Sequence, residues 1–273
     1  MKIIAKLILT LLFIPVFLLF ILAVNLRSQI LAPSFWEKTF DINNTYSKLS
    51  ISISKNLESQ AEAEGGRAGD VKIFTDLASP ENLKDAIDKN IYNILQYANG
   101  KSKEIIVYVP AGKIPGALLS KNLNPINEQM KLTDLLKEFN VTGVSPTQIQ
   151  MISHAGIYSW VFFAATLFLS VLFLYLLSLL TDSGKRYAAL SLTLILSGLA
   201  AFFVNFSGTA IRNNWANNPS DSKNLGDSLI RIVVPPVFKE ILTIWFLFAA
   251  VAVIAGFVLF FIKKPYNTTS KPK

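Results

Sequence analysis

Residues 157–180 read IYSWVFFAATLFLSVLFLYLLSLL and decide the fold class of this chain. These 24 residues contain no Asp, Glu, Lys, Arg or His. Because a helix needs about 20 apolar residues to cross the hydrocarbon core of a bilayer, the stretch predicts a membrane-spanning helix. Uncharged stretches of 18, 19 and 22 residues predict three more spans, at residues 7–24, 187–205 and 241–262.

The composition of the whole chain agrees with this prediction. Of its 273 residues, 52% are hydrophobic and only 16% are charged, and the mean hydropathy is +0.43. A soluble protein is less apolar than this. The residues outside the four stretches hold every charged side chain and have the composition of water-soluble protein. We therefore predict a mainly α, four-span membrane protein with a mainly helical extracytoplasmic domain that contains minor β structure.

The distribution of charge predicts the orientation in the membrane. Residues 1–6, the link 181–186 and residues 263–273 together hold eight cations and one acid, whereas residues 25–156 and 206–240 hold 18 cations and 17 acids. Since Lys and Arg near span ends stay in the cytoplasm, both termini are predicted inside. The net charge of +8 then requires no nucleic acid partner. An attraction of the basic tail 263–273 to anionic lipid stays open.

This orientation divides the chain into four parts. Residues 1–24 form a short cytoplasmic start and the first span, and residues 25–156 form the extracytoplasmic domain. Residues 157–262 form three spans with an outside loop at 206–240, and the tail follows. A cleaved signal peptide is the alternative for the first span. Its apolar run exceeds the usual core of about 7–15 residues, and Asn25 replaces the small residue expected before a cut, which favours a permanent anchor.

Residues 79–100 give the clearest helix of the predicted outside domain. Ser79 can cap the helix, Pro80 suits the first helical position, and Glu81 suits the positive end of the helix dipole. Apolar residues then recur at helical spacing, at Leu83, Ile87, Ile91, Ile94 and Ala98. Gly100 ends the pattern.

Shorter patterns predict the other elements of the domain. Residues 49–54 alternate like a strand, but a longer stripe favours a helix, at Ile42, Tyr46, Leu49, Ile53 and Leu57. Residues 62–70 have no apolar period and predict a flexible connector. Residues 105–109 are rich in β-branched side chains and predict a strand, with a turn at Pro115 and Gly116. A helix is predicted at 132–139, and a short one between Pro146 and the second span.

Several short sequences resemble a group of uncharacterised bacterial membrane proteins. They are Leu26-Arg27-Ser28, Pro33-Ser34-Phe35-Trp36, Tyr46-Ser47-Lys48-Leu49 and Tyr97-Ala98-Asn99-Gly100-Lys101-Ser102. Proteins of that group have one N-terminal span, an extracytoplasmic domain and a C-terminal cluster of spans. The resemblance implies a bacterial cytoplasmic membrane and implies no activity.

Three motifs imitate chemical sites. Gly100-Lys101-Ser102 looks like the end of a phosphate-binding loop, but Leu95 occupies the place of its first glycine, so a helix end is predicted instead. Ser52 and Lys55 have the spacing of a serine acyl-enzyme without its other motifs. His154 is the only histidine and lies near Tyr158, which predicts an interfacial side chain. No catalytic, cofactor-binding or metal-binding residue is assigned.

The predicted spans carry no ionisable side chain, although ion-coupled transporters usually need one. A small or polar residue instead recurs every fourth position of the third span, at Ala189, Thr193, Ser197, Ala201 and Asn205, and the fourth span has Ala252 and Gly256. Such faces predict close helix packing. Residues 225–234 predict an amphipathic stretch that Pro235 and Pro236 end.

These observations lead to one functional hypothesis and two alternatives. The hypothesis is a non-enzymatic, multi-pass protein of the cytoplasmic (plasma) membrane that presents an interaction domain to an envelope protein or lipid. The bilayer is its first partner, no cofactor is expected, and an oligomer is left open. The alternatives are a subunit of a channel or transport complex and an extracytoplasmic hydrolase.

Overall fold

The structure is a computed structural model that describes residues 2–63, 75–76, 78–108, 129–138, 146–217 and 225–262. Within these ranges the chain is mainly α-helical and has a single two-stranded sheet. Most of the predicted connector 62–70 lies outside the described residues. The predicted turn at Pro115 and Gly116 and the basic tail 263–273 also lie outside them.

The elements follow one another in this order: α1 (Lys2–Asn25), a π-helical turn (Leu26–Ile30), α2 (Pro33–Ile42), α3 (Thr45–Ala63), α4 (Pro80–Ala98), β1 (Ile106–Tyr108), β2 (Gln129–Lys131), α5 (Leu132–Glu138), α6 (Pro146–Ile152), α7 (Ala155–Leu180), α8 (Arg186–Asn217) and α9 (Leu225–Phe261). Helices α1, α7 and α8 each contain one of the uncharged stretches, and α9 contains all of the fourth except its last residue, Ile262. The described residues thus include four helices that are long and apolar enough to cross a membrane, as predicted.

The structure corrects the prediction for residues 225–262. Pro235 and Pro236 do not end a separate amphipathic stretch, because α9 runs without interruption from Leu225 to Phe261. Proline removes a backbone donor, but its fixed φ of about −65° is compatible with a helix. The loss of donors therefore affects one turn, and the helix continues on both sides of it.

The chain divides into two compact units. The first comprises Met1–Asn25, Phe162–Ala210 and Ile241–Lys273, and the second comprises Leu26–Val161 and Ile211–Glu240. The first unit is a helical bundle. Its core contains residues from α1, α8 and α9, namely Phe13, Phe17, Ile21, Ala201, Trp245, Ala249 and Ala252. Many of its other large apolar side chains are exposed, as lipid-facing residues of a membrane protein are.

The bundle confirms the packed seam predicted from the small residues of the third span. Thr193, Ser197 and Ala201 are fully buried. The hydroxyl of Thr10 lies 3.1 Å from that of Thr193, which joins α1 to α8. The Asn205 amide donates a 2.6 Å hydrogen bond to the carbonyl of Leu242, which joins α8 to α9.

Helix α4 is the central element of the second unit, since it contacts α2, α3 and β1. Its start is as predicted: the Ser79 hydroxyl accepts a hydrogen bond from the Asn82 amide, and Pro80 is the first helical residue. The buried residues near its end are Leu95, Tyr97 and Ala98. They belong to two small cores, one with Leu31 and the other with Ile105 and Ile149.

Two members of the predicted apolar stripes are exposed, although the stripes predicted that they would be buried. Ile94 of α4 is 40% exposed and Ile42 of α2 is 60% exposed, whereas Tyr46 and Leu49 are buried as predicted. Near its end α4 contributes to two cores, with Leu95 and Ala98 in one and Tyr97 in the other. Its buried surface is therefore wider than the single stripe that was predicted. The prediction of a helix rather than a strand for residues 49–54 is confirmed by α3.

The predicted strand at 105–109 is present as β1, for the residues described. It pairs in antiparallel register with β2, with Val107 opposite Met130, and this partner was not predicted. Helix α5 follows β2 directly and agrees with the helix predicted at 132–139, of which Phe139 lies outside the described residues. Helix α6 is the short helix predicted before the second span.

Candidate functional site

The second unit contains a cleft of about 480 Å³ that is the best-formed candidate site among the described residues. Helices α2 and α4 and the two strands supply its walls. Its lining combines aromatic and charged side chains, namely Trp36, Tyr92, Tyr108, Glu37, Asp88 and Lys89. This volume is within the usual range for a small-molecule or side-chain binding site.

Two asparagines of α4 attach β1 to the wall of the cleft. The Asn90 side chain donates to the carbonyl of Tyr108 at 2.9 Å and accepts from the amide of Tyr108 at 2.7 Å. The Asn93 side chain donates to the carbonyl of Ile106 at 2.9 Å. The outer edge of this short strand is therefore satisfied by side chains. This arrangement fixes the backbone of Tyr108 beside α4 and closes the edge to strand addition.

Helix α2 holds the indole of Trp36 in a defined orientation. The indole N–H donates a 2.9 Å hydrogen bond to the carbonyl of Ile30 in the π-helical turn. The ring packs edge-on against Phe35 and Phe40, with centroid separations of 5.8 and 5.9 Å. Trp36 is thus a rigid aromatic surface that is already in place before a ligand arrives.

Two hydrogen-bonded pairs join α4 to its neighbours, one to α2 and one to α3. The Lys84 ammonium donates to both carboxylate oxygens of Asp41, at 2.5 and 2.6 Å. The Tyr46 hydroxyl donates to the carboxylate of Asp88. Burial, followed by this hydrogen bond and the nearby carboxylates, raises the pKa of Tyr46 well above its ordinary value. Tyr46 is therefore a proton donor to Asp88 throughout the physiological pH range.

The two carboxylates that line the cleft form no salt bridge in the described part of the chain, although Lys84 lies close enough to act on both through its charge. Burial raises the pKa of Asp88, although the hydrogen bond from Tyr46 and the charge of Lys84 oppose this shift. Lys84 is engaged by Asp41, and neither Asp88 nor Glu37 forms a salt bridge within the described ranges. Glu37 is also exposed. The cleft consequently has an excess of negative charge.

Lys89 is the cation in the lining, and it is committed to other groups. Its ammonium lies 2.9 Å from a carboxylate oxygen of Asp85, one helical turn away. The same ammonium lies 4.0 Å from the centroid of the Tyr108 ring, in the geometry of a cation–π contact. One face of Tyr108 is therefore occupied, and the other aromatic rings of the lining are those of Tyr92, which is 51% exposed, and of the partly buried Trp36.

The structure confirms that Gly100-Lys101-Ser102 is a helix end. The Gly100 amide donates to the carbonyl of Tyr97 at 2.9 Å, and the Lys101 amide donates to that of Gln96 at 2.8 Å. Gly100 has a φ of +69°. These features define a Schellman motif, in which glycine adopts the left-handed conformation that closes a helix. The backbone groups that a phosphate loop would present are therefore engaged in capping.

The other motifs do not assemble a reaction centre. Ser52 and Lys55 lie on α3, away from the cleft lining, and no hydrogen bond joins them in the structure as described. His154 is exposed and its ring packs against Tyr158, at a centroid separation of 5.9 Å. Among the described residues, no three His, Cys, Asp or Glu side chains are grouped so that they could hold a metal ion.

Sequence reasoning missed the cleft, because its walls come from four elements that are far apart in the chain. A partial signal was available: α4 carries polar residues on both sides of its apolar stripe, including Asp88, Asn90 and Asn93. The sequence matches no protein-family model, and searches of curated proteins and of solved structures find no protein that is significantly similar to it.

Proposed function

We propose that this chain is a non-enzymatic, multi-pass protein of a bacterial cytoplasmic membrane that recognises an envelope component through the cleft of its second unit. Residues 25–156 form the extracytoplasmic domain, and the four helices anchor it with both termini in the cytoplasm. One observation carries the proposal: the cleft is preformed, with Trp36 held by its hydrogen bond and Tyr108 held by Asn90. Preformed clefts with a few polar groups are typical of binding sites.

The chemistry of the cleft supports recognition in preference to hydrolysis. No Ser, Thr or Cys is among the lining residues beside its carboxylates, and Ser52 and Lys55 lie elsewhere. The hydroxyl next to Asp88 belongs to Tyr46, and its pKa is raised, which opposes its use as a nucleophile. Side chains that are fixed and complementary to a ligand are sufficient for binding alone.

The bundle supports an anchoring role in preference to a pore between α8 and α9. A β-carbon added at Gly198 would lie 2.8 Å from the carbonyl oxygen of Ala249, and one added at Gly256 would lie 3.0 Å from that of Ser191. Contacts this short mean that the two backbones touch along this seam. A water-filled path along the same face would require them to separate.

Site-specific photo-crosslinking in intact cells tests the proposal. A benzoylphenylalanine residue replaces Tyr92, which lines the cleft and is 51% exposed. The matched control is the same replacement at Ile51 of α3, which is 69% exposed and does not line the cleft. We expect a discrete adduct from position 92 that position 51 does not give. Identical adducts from both positions, or none from position 92, would refute recognition through the cleft.

A further inference from the structure

We propose that the cleft selects a ligand that carries a positively charged ammonium group. The inference rests on the proposed binding function, since it names the chemistry of the ligand at the same site. Two features of the lining point to a cation: a pair of carboxylates that form no salt bridge among the described residues, and the aromatic rings of Trp36 and Tyr92.

The first feature is the unbalanced charge. Glu37 and Asp88 face the cleft from α2 and α4, and the nearest cations already have partners: Lys84 pairs with Asp41, and Lys89 pairs with Asp85. Taking a carboxylate partly out of water costs free energy unless a cation or donor compensates it. The Tyr46 hydroxyl supplies one donor to Asp88. A ligand ammonium would supply the missing positive charge.

The second feature is the aromatic lining. The electron-rich faces of Trp and Tyr attract cations within about 6 Å of the ring centroid. The protein already uses this interaction inside the cleft, where Lys89 lies over Tyr108. The rings of Trp36 and Tyr92 also line the cleft, and Tyr92 is 51% exposed. Carboxylates beside aromatic rings suit an alkylammonium group, which has a charged end and an apolar stem.

The other occupants that the cleft could take are less well matched. An anion would meet Glu37 and Asp88, and the ammonium of Lys89 is already engaged. A purely apolar ligand would bury the carboxylate of Glu37 without a compensating hydrogen bond or salt bridge among the described residues. A β-strand cannot add to β1, because Asn90 and Asn93 occupy its outer edge. A small cationic group is compatible with all three constraints.

The test uses a matched pair of probes with the full-length protein in detergent micelles. N-acetyl-lysine methylamide carries an alkylammonium group, and N-acetyl-norleucine methylamide has the same four-carbon stem without it. Saturation-transfer NMR measures the binding of each probe. We expect binding of the lysine probe, weakened several-fold by 0.5 M NaCl because the attraction is electrostatic, and at least tenfold weaker binding of the norleucine probe.

Two substitutions locate the binding site. Glu37→Gln removes an exposed carboxylate of the lining and should weaken the binding of the lysine probe about two- to fivefold, within the range for one exposed ion pair. Tyr92→Leu keeps apolar bulk but removes the ring face and should weaken it about threefold. The control is Glu58→Gln on α3, which removes an exposed acid outside the lining and should have no effect.

The source of the ammonium group is decided by a second arm, in which the protein is reconstituted in nanodiscs of phosphatidylglycerol with or without phosphatidylethanolamine. If the lipid headgroup is the natural ligand, phosphatidylethanolamine will compete with the lysine probe. If the natural ligand is a soluble amine or a peptide amine, phosphatidylethanolamine will not compete. Equal affinity for the two probes, or an unchanged affinity in Glu37→Gln, would overturn the inference. If the cellular adduct at position 92 persists in that case, binding by the cleft stands and only the ligand class is wrong.

Discussion

Replacing Gly198 by Ala tests whether the α8–α9 seam holds the bundle together. An added β-carbon would lie 2.6 Å from a methyl group of Val253, 2.8 Å from the carbonyl oxygen of Ala249 and 3.1 Å from the amide nitrogen of Val253. The methyl group can rotate away, but the two backbone atoms belong to α9 and cannot. The helices must therefore separate by several tenths of an ångström.

The expected magnitude is the balance of two opposing effects. Alanine is favoured over glycine in a helix by about 1 kcal/mol. Overpacking typically costs about 1–3 kcal/mol, and the upper part of that range applies here because backbone is involved. The net loss of unfolding free energy should be about 1–2 kcal/mol. For a chain of this size, each 1 kcal/mol lowers the melting temperature by about 2–4 °C.

The assay is thermal unfolding of the full-length protein in one detergent at one protein concentration. Gly184→Ala is the matched control, because a β-carbon at Gly184 has nothing within 4 Å. We expect Gly198→Ala to melt about 2–8 °C lower than the wild type. Gly184→Ala should melt at the wild-type temperature. If Gly198→Ala melts at or above the wild-type temperature, the two backbones do not touch at this position and the reasoning about the seam is wrong.

Three other predictions follow from the second unit and from the orientation. The pKa of Tyr46 is raised in the folded protein, so the contribution of its hydroxyl to stability is present below the ordinary pKa of about 10. That contribution is lost as the pH rises above this value. The difference in melting temperature between the wild type and Tyr46→Phe should therefore shrink between pH 8 and pH 11. Asn90→Ala leaves the backbone groups of Tyr108 without partners and should cost about 1–3 kcal/mol in chemical denaturation, whereas an unchanged midpoint would show that water replaces the asparagine. For the orientation, a cysteine introduced at Ser102 should react with a membrane-impermeant maleimide in whole cells. A cysteine introduced at Ser183 should react only after permeabilisation. The reverse pattern would place the domain in the cytoplasm.

The sequence by itself determined the features that depend on a few neighbouring residues. Each of the four helices that are long and apolar enough to cross a membrane follows from an uncharged apolar run, because transfer of such a run into hydrocarbon is decided by its own composition. The start of α4 follows from Ser79 and Pro80, and its end follows from Gly100. Capping residues act on backbone groups within one turn, so their effect can be read without knowing the fold.

Only the tertiary structure decided the features that join distant residues. The Tyr46 hydroxyl and Asp88 are 42 positions apart, and Asn90 reaches Tyr108 across 18 positions. The apolar period of α4 favours burial of Ile94, yet Leu95 and Tyr97 are buried instead, because the helix is covered on more than one side. A one-dimensional pattern indicates that a helix buries a face, but the partners that pack on the helix decide which side chains are covered and where a cleft remains between them.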